Sequence, residues 1–419
     1  LNSNANKHTM TAAMRRRRKK MWTLCGVLLL LLVYLGGWYQ RLDEQFFELH
    51  TCPACYGQTL CSQLLRDEYS SHSKIELTGF TSWKIINFFN VKNVYYGQSG
   101  ENSIVLKKLA HNSELKEFDQ NLCKASKETE NCDVSQAIKN ILIKTNHNFS
   151  QIISRYPQLF EISEGVRCNH NRSIQNLYDN YIKIDAGPYH HHHFITMLAV
   201  NMEPLILNAY QQQQWFPFLH GMCGRVMVEN YVGPTLTQLS QVPWIVRADY
   251  AHQLLELAQD FSEGEFRLYL TDVSLDNFAV DSKGKVKIID AENIVMVDPS
   301  IPGLDPTEHV NDGFGCRDCL SFSYEDLCGH TFSDHNFFAV CKGILSSSAF
   351  SQDLPEGLLH SPPSWVFEEY PLLLSLVEDC AGHPSGTNAY THALPTRRKA
   401  AAALHTQLLT VLQKGGKPS

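Results

Sequence analysis

Hydrophobic and polar positions divide the chain into an uncharged run, a strand-rich stretch and a longer mixed region. Residues 22–39 contain no charged side chain. Between residues 83 and 109, short apolar runs rich in β-branched and aromatic residues are separated by polar or glycine-containing turns, a pattern that predicts β-strands. Residues 110–200 are more polar, and we predict that they are partly helical.

Later in the chain, strand-like runs lie on both sides of one clear helix. The stretches MEPLILNAY and GRVMVENYV favour strands. Between residues 243 and 261, apolar residues recur at the i, i+3, i+4 spacing of a helix. The runs at 278–280 and 286–289 predict a hairpin that turns at residues 281–284. Beyond about residue 300, the chain is predicted to be loop-rich and then helical.

The uncharged run has the length and the flanks of a membrane anchor. Its eighteen residues would extend about 27 Å as a helix, close to the thickness of a bilayer hydrocarbon core. The basic residues Arg15–Lys20 precede it, and basic residues favour the cytosolic side of a membrane. We therefore predict a cytosolic tail over 1–21, a single transmembrane signal anchor over 22–39 and a lumenal remainder; a cleaved signal peptide is the alternative.

The cysteine content agrees with an oxidising compartment. Cys25 lies in the uncharged run, and the even number of twelve cysteines that remains predicts up to six disulfides without fixing their pairing. Two pairs, at 52–55 and 316–319, have the CxxC spacing of zinc ligands. They lie more than 250 residues apart, much farther than in a zinc ribbon, so disulfides are the favoured interpretation.

Three polar residues interrupt the strand-like runs near residues 270–290. Asn277 follows Asp272 by five positions, and Asp290 follows it by eighteen. The order of helix, Asp-x4-Asn loop, hairpin and Asp is that of the catalytic core of protein kinases. Oxygen ligands such as Asn277 and Asp290 suit Mg²⁺, and a carboxylate such as Asp272 can orient an attacking hydroxyl and accept its proton. The spacing thus predicts a catalytic base and two metal ligands.

A lysine at the end of a predicted strand completes this set. In SIVLKKL, Lys107 follows three aliphatic residues, as in the V-A-I-K pattern whose lysine holds the phosphates of ATP. We expect its ion-pair partner to be a glutamate on the next helix, either Glu114 or Glu117. Residues Glu229–Tyr231 follow an apolar strand and are predicted to form a hinge whose backbone binds adenine.

These motifs, in their order along the chain, resemble the divergent protein kinase domain 2 family, the deleted-in-autism proteins of the secretory pathway. They are CPACYG, FFNVKNVY, VLKKL, MEPLIL, DVSLDNFAV, IIDAEN and DHNFFAVC. The resemblance implies an α+β fold of two lobes, as in protein kinases, with disulfide-rich insertions. We expect a Cys-rich segment over 40–82, an N-lobe with an insertion over 83–231 and a C-lobe over 232–419.

Several positions depart from the ordinary kinase pattern. The His-Arg-Asp triplet is replaced by Leu270-Thr271-Asp272, and Ser274 stands where a lysine assists the γ-phosphate. Glu292 replaces the glycine of Asp-Phe-Gly, so its carboxylate is expected either to be a further metal ligand or to repel ATP. No glycine-rich loop precedes Lys107.

Two functions follow from this mixture. The resemblance implies a phosphotransferase that uses ATP with Mg²⁺ or Mn²⁺ on lumenal or secreted proteins or glycans, in the Golgi or endoplasmic reticulum or after secretion. The alternative is a pseudokinase that acts as a secreted signalling ligand or scaffold. Joint retention of Lys107, Asp272, Asn277 and Asp290 favours the phosphotransferase.

The remaining features bear on partners and local structure. The net charge of −7, without a basic face outside the N-terminus, argues against nucleic-acid binding. Sequons at Asn148 and Asn171 are expected to carry glycans in the lumen. The run His190–His193 is predicted to be an exposed stretch rather than a metal site, and Gln211–Gln214 is predicted to be a loop.

Overall fold

A computed structural model describes most of the chain outside its N-terminus. The ranges are residues 22, 25–27, 40–65, 75–82, 93–126, 132–168, 170–311, 320–347, 349, 357–382 and 397–415. The predicted anchor over 22–39 lies almost entirely outside them, as does the CxxC pair at 316–319. Among the described helices, none is long and apolar enough to cross a membrane.

A five-stranded antiparallel sheet forms the first layer of the fold. Its spatial order is β1-β2-β3-β5-β4. The edge strand β1 lies within the segment predicted as a separate Cys-rich unit over 40–82, so the sheet begins before the expected boundary at residue 83. The strands are β1 (Ile75–Leu77), β2 (Val94–Ser99), β3 (Asn102–Lys108), β4 (Leu219–Cys223) and β5 (Val226–Asn230).

The two faces of this sheet have different partners because successive side chains along a strand point to opposite sides. On the outer face, Ile104 and Leu106 of β3 pack with aromatic and aliphatic residues of the segment 42–65, which we call the collar. The collar contains helices α1 (Glu44–Phe47) and α2 (Cys61–Leu64). A disulfide between Cys61 and Cys223 fastens it to β4. The inner face carries Val105 and Lys107.

In the described part of the chain, six α-helices are inserted between β3 and β4, which confirms the expectation of a partly helical stretch after residue 110. Side chains of Asp133 and Asn148 accept hydrogen bonds from backbone amides at the starts of two of them, as helix N-caps do. A disulfide joins Cys123 to Cys132. The helices are α3 (Asn112–Ser126), α4 (Val134–Lys144), α5 (Phe149–Arg155), α6 (Asn171–Tyr181), α7 (His190–Val200) and α8 (Glu203–Tyr210).

Two predictions within this insertion are wrong. MEPLILNAY forms helix α8 and not a strand: Leu205, Ile206 and Leu207 are all buried, so the run shows no helical periodicity, while Pro204 is placed where a helix start tolerates it. The histidine run is not exposed either, since it forms the first turn of α7. His193 is buried, with Nδ1 2.8 Å from the Asp185 carboxylate.

The second half of the chain is mainly helical, and the predicted helix and hairpin are confirmed as α9 and as β7 with β8. Strand β6 pairs with β9, and α9 packs against α14 and α11. The elements are α9 (Trp244–Glu263), β6 (Arg267–Leu270), β7 (Phe278–Val280), β8 (Val286–Ile288), β9 (Ile294–Val297), β10 (Asp305–His309), α10 (Tyr324–Gly329), β11 (His330–Ser333), α11 (His335–Val340), α12 (Ser364–Glu369), α13 (Leu373–Ala381) and α14 (Arg397–Gly415).

Disulfides connect distant parts of the described chain, as the cysteine count predicted. Besides the bridges 61–223 and 123–132, Cys168 pairs with Cys328, and Cys341 pairs with Cys380. The CxxC pair at 52–55 is itself a disulfide and not a zinc ligand pair. The 168–328 bridge ties the helical insertion to the C-terminal half.

Candidate active site

The loop that carries Asp272 is positioned by buried side chains of helix α11. Asn336 accepts a hydrogen bond from the Leu270 amide at 3.0 Å, and His335 Nε2 lies 2.8 Å from the Leu270 carbonyl oxygen. Burial lowers the pKa of His335 to about 4, so the ring is neutral at pH 7. His335 Nε2–H therefore donates to Leu270, while Nδ1 faces the side-chain amide of Asn311 at 3.1 Å. Sequence reasoning missed this support, although DHNFFAVC was recognised as a motif.

The structure brings Asp272, Asn277 and the strand before Asp290 together. The Asn277 side chain donates to the Asp272 carbonyl oxygen at 3.3 Å. The Ile289 amide donates to the Asn277 carbonyl oxygen at 2.9 Å. The Asp272 side chain is exposed, whereas Asn277 and Asp290 are half-buried. The loop and the end of β8 thus lie side by side at one opening, which we call the mouth of the site, as the sequence spacing predicted.

Lys107 projects from β3 to the same place and contacts two carboxylates. Its Nζ lies 2.7 Å from Glu203 Oε1 and 3.1 Å from Glu229 Oε1. It also donates to the carbonyl oxygen of Ile289. Glu203 begins helix α8, and its Oε1 accepts a further hydrogen bond from the Ala291 amide at 3.2 Å. Glu203 therefore links the lysine to the segment that carries Asp290.

The predicted partner of Lys107 is wrong, because the structure pairs this lysine with Glu203 and Glu229. Glu114 accepts a hydrogen bond from the His111 amide at the start of α3, and Glu117 is exposed. The helix that follows β3 in sequence belongs to the insertion, and the helix next to β4 supplies the glutamate instead. The signal that could have found Glu203 was its position directly before the apolar run PLIL, next to Pro204.

Carboxyl groups outnumber ammonium groups at the site. Burial alone lowers the pKa of Lys107, but Glu203, Glu229 and Asp290 together raise it above its ordinary value. Burial raises the pKa of both glutamates despite the nearby ammonium. Burial, with Asp290 and Glu203, also raises the pKa of Glu292 to about 8, and Asn201 donates to its Oε2 at 2.6 Å. One ammonium thus faces four carboxyl groups.

In the predicted hinge, Glu229–Tyr231, one side chain and two backbone amides already have partners. The side chain of Glu229 turns toward Lys107, and within the described part of the chain its Oε2 is buried without a hydrogen bond. The amide of Asn230 donates to the Phe218 carbonyl and that of Tyr231 to the Ser103 carbonyl, both at 3.0 Å. These two amides are therefore not available to an adenine base.

An aromatic pair lies on the same face of the sheet as Lys107. Tyr96 of β2 is opposite Val105 of β3, and Val105 and Lys107 share a face because they are two positions apart. The rings of Tyr96 and Tyr231 meet edge to face, 5.8 Å between centroids, and their residues are 47% and 41% exposed. Exposed aromatic rings at this position are of the kind on which a planar base can stack. The alternation in VYYGQ was the sequence signal for Tyr96.

Comparisons with known proteins agree with this arrangement. Residues 195–383 match the family model described as the protein-kinase domain of FAM69. Divergent protein kinase domain 2A of Mus musculus is 33% identical over 401 residues, covering 87% of this chain and 90% of the relative. The Xenopus tropicalis protein of the same name is 34% identical, covering 81% and 83%. Divergent protein kinase domain 2B of Bos taurus is 23% identical, covering 73% of each.

The family model spans the regions that supply Glu203, Asp272 and Asp290. The chain has the α and β content of a kinase-like fold. As in that fold, a lysine on a strand, a glutamate on a helix and aspartates on loops come together at one site. The disulfides are an addition to it. With a third of its residues identical over nearly its whole length to the 2A relative, the chain belongs to the divergent protein kinase domain 2 family.

Proposed function

We propose that the chain is a phosphotransferase that uses ATP with Mg²⁺ or Mn²⁺ on hydroxyl groups of lumenal or secreted proteins or glycans. The observation that supports this most is the link from Lys107 through Glu203 to the Ala291 amide. It joins the lysine strand to the segment of Asp290. This buried polar connection costs desolvation, and it holds the lysine beside the segment that would bind the metal.

In this proposal each side chain has a separate task. Lys107 would hold phosphate oxygens, and Glu203 would keep its ammonium in place. Asp272, whose side chain is exposed at the mouth, would orient the substrate hydroxyl and accept its proton as the oxygen bonds to the γ-phosphorus and ADP leaves. Tyr96 and Tyr231 would contact the base.

The residues at the mouth fit a hard divalent cation. Asn277 uses its amide nitrogen toward Asp272, which leaves the amide oxygen as its ligand atom. Asp290 and Glu292 add carboxylate oxygens, and all three groups are of the type that Mg²⁺ and Mn²⁺ prefer. The site also has more carboxyl groups than ammonium groups, and a bound cation would balance them. When bound, the metal would neutralise charge on the phosphate oxygens.

A pseudokinase that serves as a signalling ligand or scaffold is the second candidate. The observation that favours it is Glu229, a second carboxylate that occupies the ammonium on which ATP would rely. Ser274 adds no positive charge to compensate.

We also propose that the domain acts in the secretory pathway, anchored by residues 22–39 or released after cleavage. The disulfides support this, because such bonds persist in oxidising compartments. Asn148 and Asn171 are exposed, as glycan acceptors must be.

Transfer of the γ-phosphate separates the two functions. The purified full chain is incubated with labelled ATP and Mg²⁺ or Mn²⁺ beside Asp272→Ala and Asp290→Ala. The phosphotransferase predicts label on protein substrates with wild type and its loss in both variants. Equal label in all three proteins would reject the enzyme, and metal-dependent ATP binding without transfer would indicate the pseudokinase.

A further inference from the structure

A second cluster of metal-binding side chains lies between helices α9 and α14, apart from the Lys107 site. His252 and Glu256 stand four residues apart on α9 and so share a helix face. His405 reaches them from α14. His252 Nδ1 lies 3.9 Å from Glu256 Oε2, and His405 Nε2 lies 3.9 Å from Glu256 Oε1. One ligand atom from each residue can be chosen so that all three lie within 4.8 Å of one another.

We propose that His252, Glu256 and His405 bind a transition-metal ion, with Zn²⁺ as the best match. Two imidazoles and one carboxylate form a known three-residue zinc set that leaves a fourth position for water. Tetrahedral bonds of about 2.0–2.1 Å place ligand atoms about 3.3 Å apart. Side-chain movements of roughly an ångström would therefore bring the three ligand atoms to bonding distance from one ion. The hard ions Mg²⁺ and Ca²⁺ prefer all-oxygen sets and are poor matches.

The burial of the cluster supports the assignment independently. Within the described part of the chain, His405 Nε2 is buried without a hydrogen bond, and its contact with Glu256 Oε1 is long at 3.9 Å; a bound ion would satisfy both groups better. The two histidine rings stack with centroids 4.1 Å apart, so a rotation of one ring is needed before both rings point a nitrogen at a shared ion. The side chains of Glu256 and His405 are 41% and 27% exposed, which leaves a path for the ion.

The position of the cluster indicates what the ion would do. Helix α9 leads directly into β6 and the Asp272 loop, and α14 is the last described helix. A metal bridging the two would fasten the C-terminal helix to the helix that precedes the catalytic loop. The site touches none of the residues around Lys107, so this inference does not depend on the proposed phosphotransferase.

The test uses the full chain, stripped of metal with a chelator and dialysed. Equilibrium dialysis with Zn²⁺ alone is expected to give one tightly held ion per chain and a higher unfolding temperature. His405→Ala and Glu256→Gln should each weaken zinc binding by more than about tenfold, since even an outer-shell change costs that much. Tetrahedral Co²⁺ absorption bands should appear in wild type and disappear in both variants.

Two controls make the outcome decisive. His220 is an exposed histidine on β4, so His220→Ala should keep the zinc site intact. Asp290→Asn should also keep it, which separates this ion from one at the proposed nucleotide site. No zinc-dependent rise in unfolding temperature in wild type would overturn the proposal, and so would equal zinc binding in wild type and Glu256→Gln. Circular dichroism of the metal-free variants checks that they remain folded.

Discussion

Lys107 is held by two buried glutamates that differ in their other hydrogen bonds. Glu203 also accepts the Ala291 amide and so connects helix α8 with the segment of Asp290. Glu229 has a buried oxygen without a hydrogen bond among the described residues. The first therefore orders the site, whereas the second competes with any phosphate group for the same positive charge.

This difference predicts opposite effects of two matched substitutions. Glu229→Ala should tighten binding of ATP with Mn²⁺ by up to about tenfold, because it frees Lys107 and removes a negative charge. Glu203→Ala should weaken binding, because the lysine loses its link to Ala291. Both residues are 2% exposed, so the two cavities cost comparable stability. Isothermal titration calorimetry measures both constants, and weakening of equal size in the two variants would contradict this division of roles.

Glu292 predicts a pH dependence of stability in the metal-free protein. Its pKa is about 8 in the fold and near the ordinary value of about 4.3 in the unfolded chain. Between those values the folded state holds more protons, so this residue lowers the free energy of unfolding as the pH rises. Glu292→Gln removes the effect. The unfolding temperature of the variant minus that of wild type should grow from pH 5 to pH 8.

Thermal unfolding in a chelating buffer at pH 5, 6.5 and 8 gives this difference directly. Groups that do not interact with Glu292 titrate alike in both proteins and cancel in the subtraction. A difference that stays constant, or that shrinks as the pH rises, would show that Glu292 is not held in its neutral form by burial and by its acidic neighbours.

Among individual residues, those that lie close together in the chain could be predicted from the sequence. Asp272, Asn277 and Asp290 are recognisable because one loop and one hairpin fix their spacing. Glu203 was missed because it meets Lys107 across 96 residues, and nothing local marks such a contact. The inward turn of the Glu229 side chain depends on the pairing of β3 with β5, which the sequence alone does not show.

Among the elements, the long helix and the hairpin were predicted, and the short buried helices were not. Helix α9 is mostly buried, but it has twenty residues over which the apolar i, i+3, i+4 spacing could be recognised, and β7 and β8 flank a turn. Helices α7 and α8 are buried around most of their circumference, so their apolar runs lack the periodicity that separates helix from strand. The collar consists of short turns, and its place on the sheet is evident only from packing and from the 61–223 disulfide.

The collar disulfide should matter more for stability than the bridge within the insertion. Cys61 and Cys223 are 162 residues apart, whereas Cys123 and Cys132 are nine apart. In the chain-entropy model, the longer loop stabilises by about 2–3 kcal/mol more. Paired Cys→Ala variants of each bridge are compared by chemical denaturation. A larger loss for the 123–132 variant would contradict the role of the collar as a fastened cover of the sheet.

Across the whole molecule, the kinase-like architecture could be predicted, but its additions could not. The order of elements and the spacing of Asp272, Asn277 and Asp290 indicated the catalytic core of a kinase, and the family resemblance implied two lobes. A helical insertion of about ninety residues separates the lysine strand from the glutamate helix, and this displaced the expected ion pair. The excess of carboxyl groups over ammonium groups also emerged only from packing, because it combines residues from β3, β5, α8 and the segment after β8.

Binding of ATP with Mn²⁺ to the full chain tests the central claim most directly, since the proposed phosphotransferase depends on this site being a nucleotide site. Calorimetric titration should give one site in wild type, with binding that requires the metal. Lys107→Ala and Asp290→Asn should each weaken it by tenfold or more, whereas His220→Ala should not. Absence of metal-dependent ATP binding in wild type, or equal affinity in wild type and both site variants, would contradict the account.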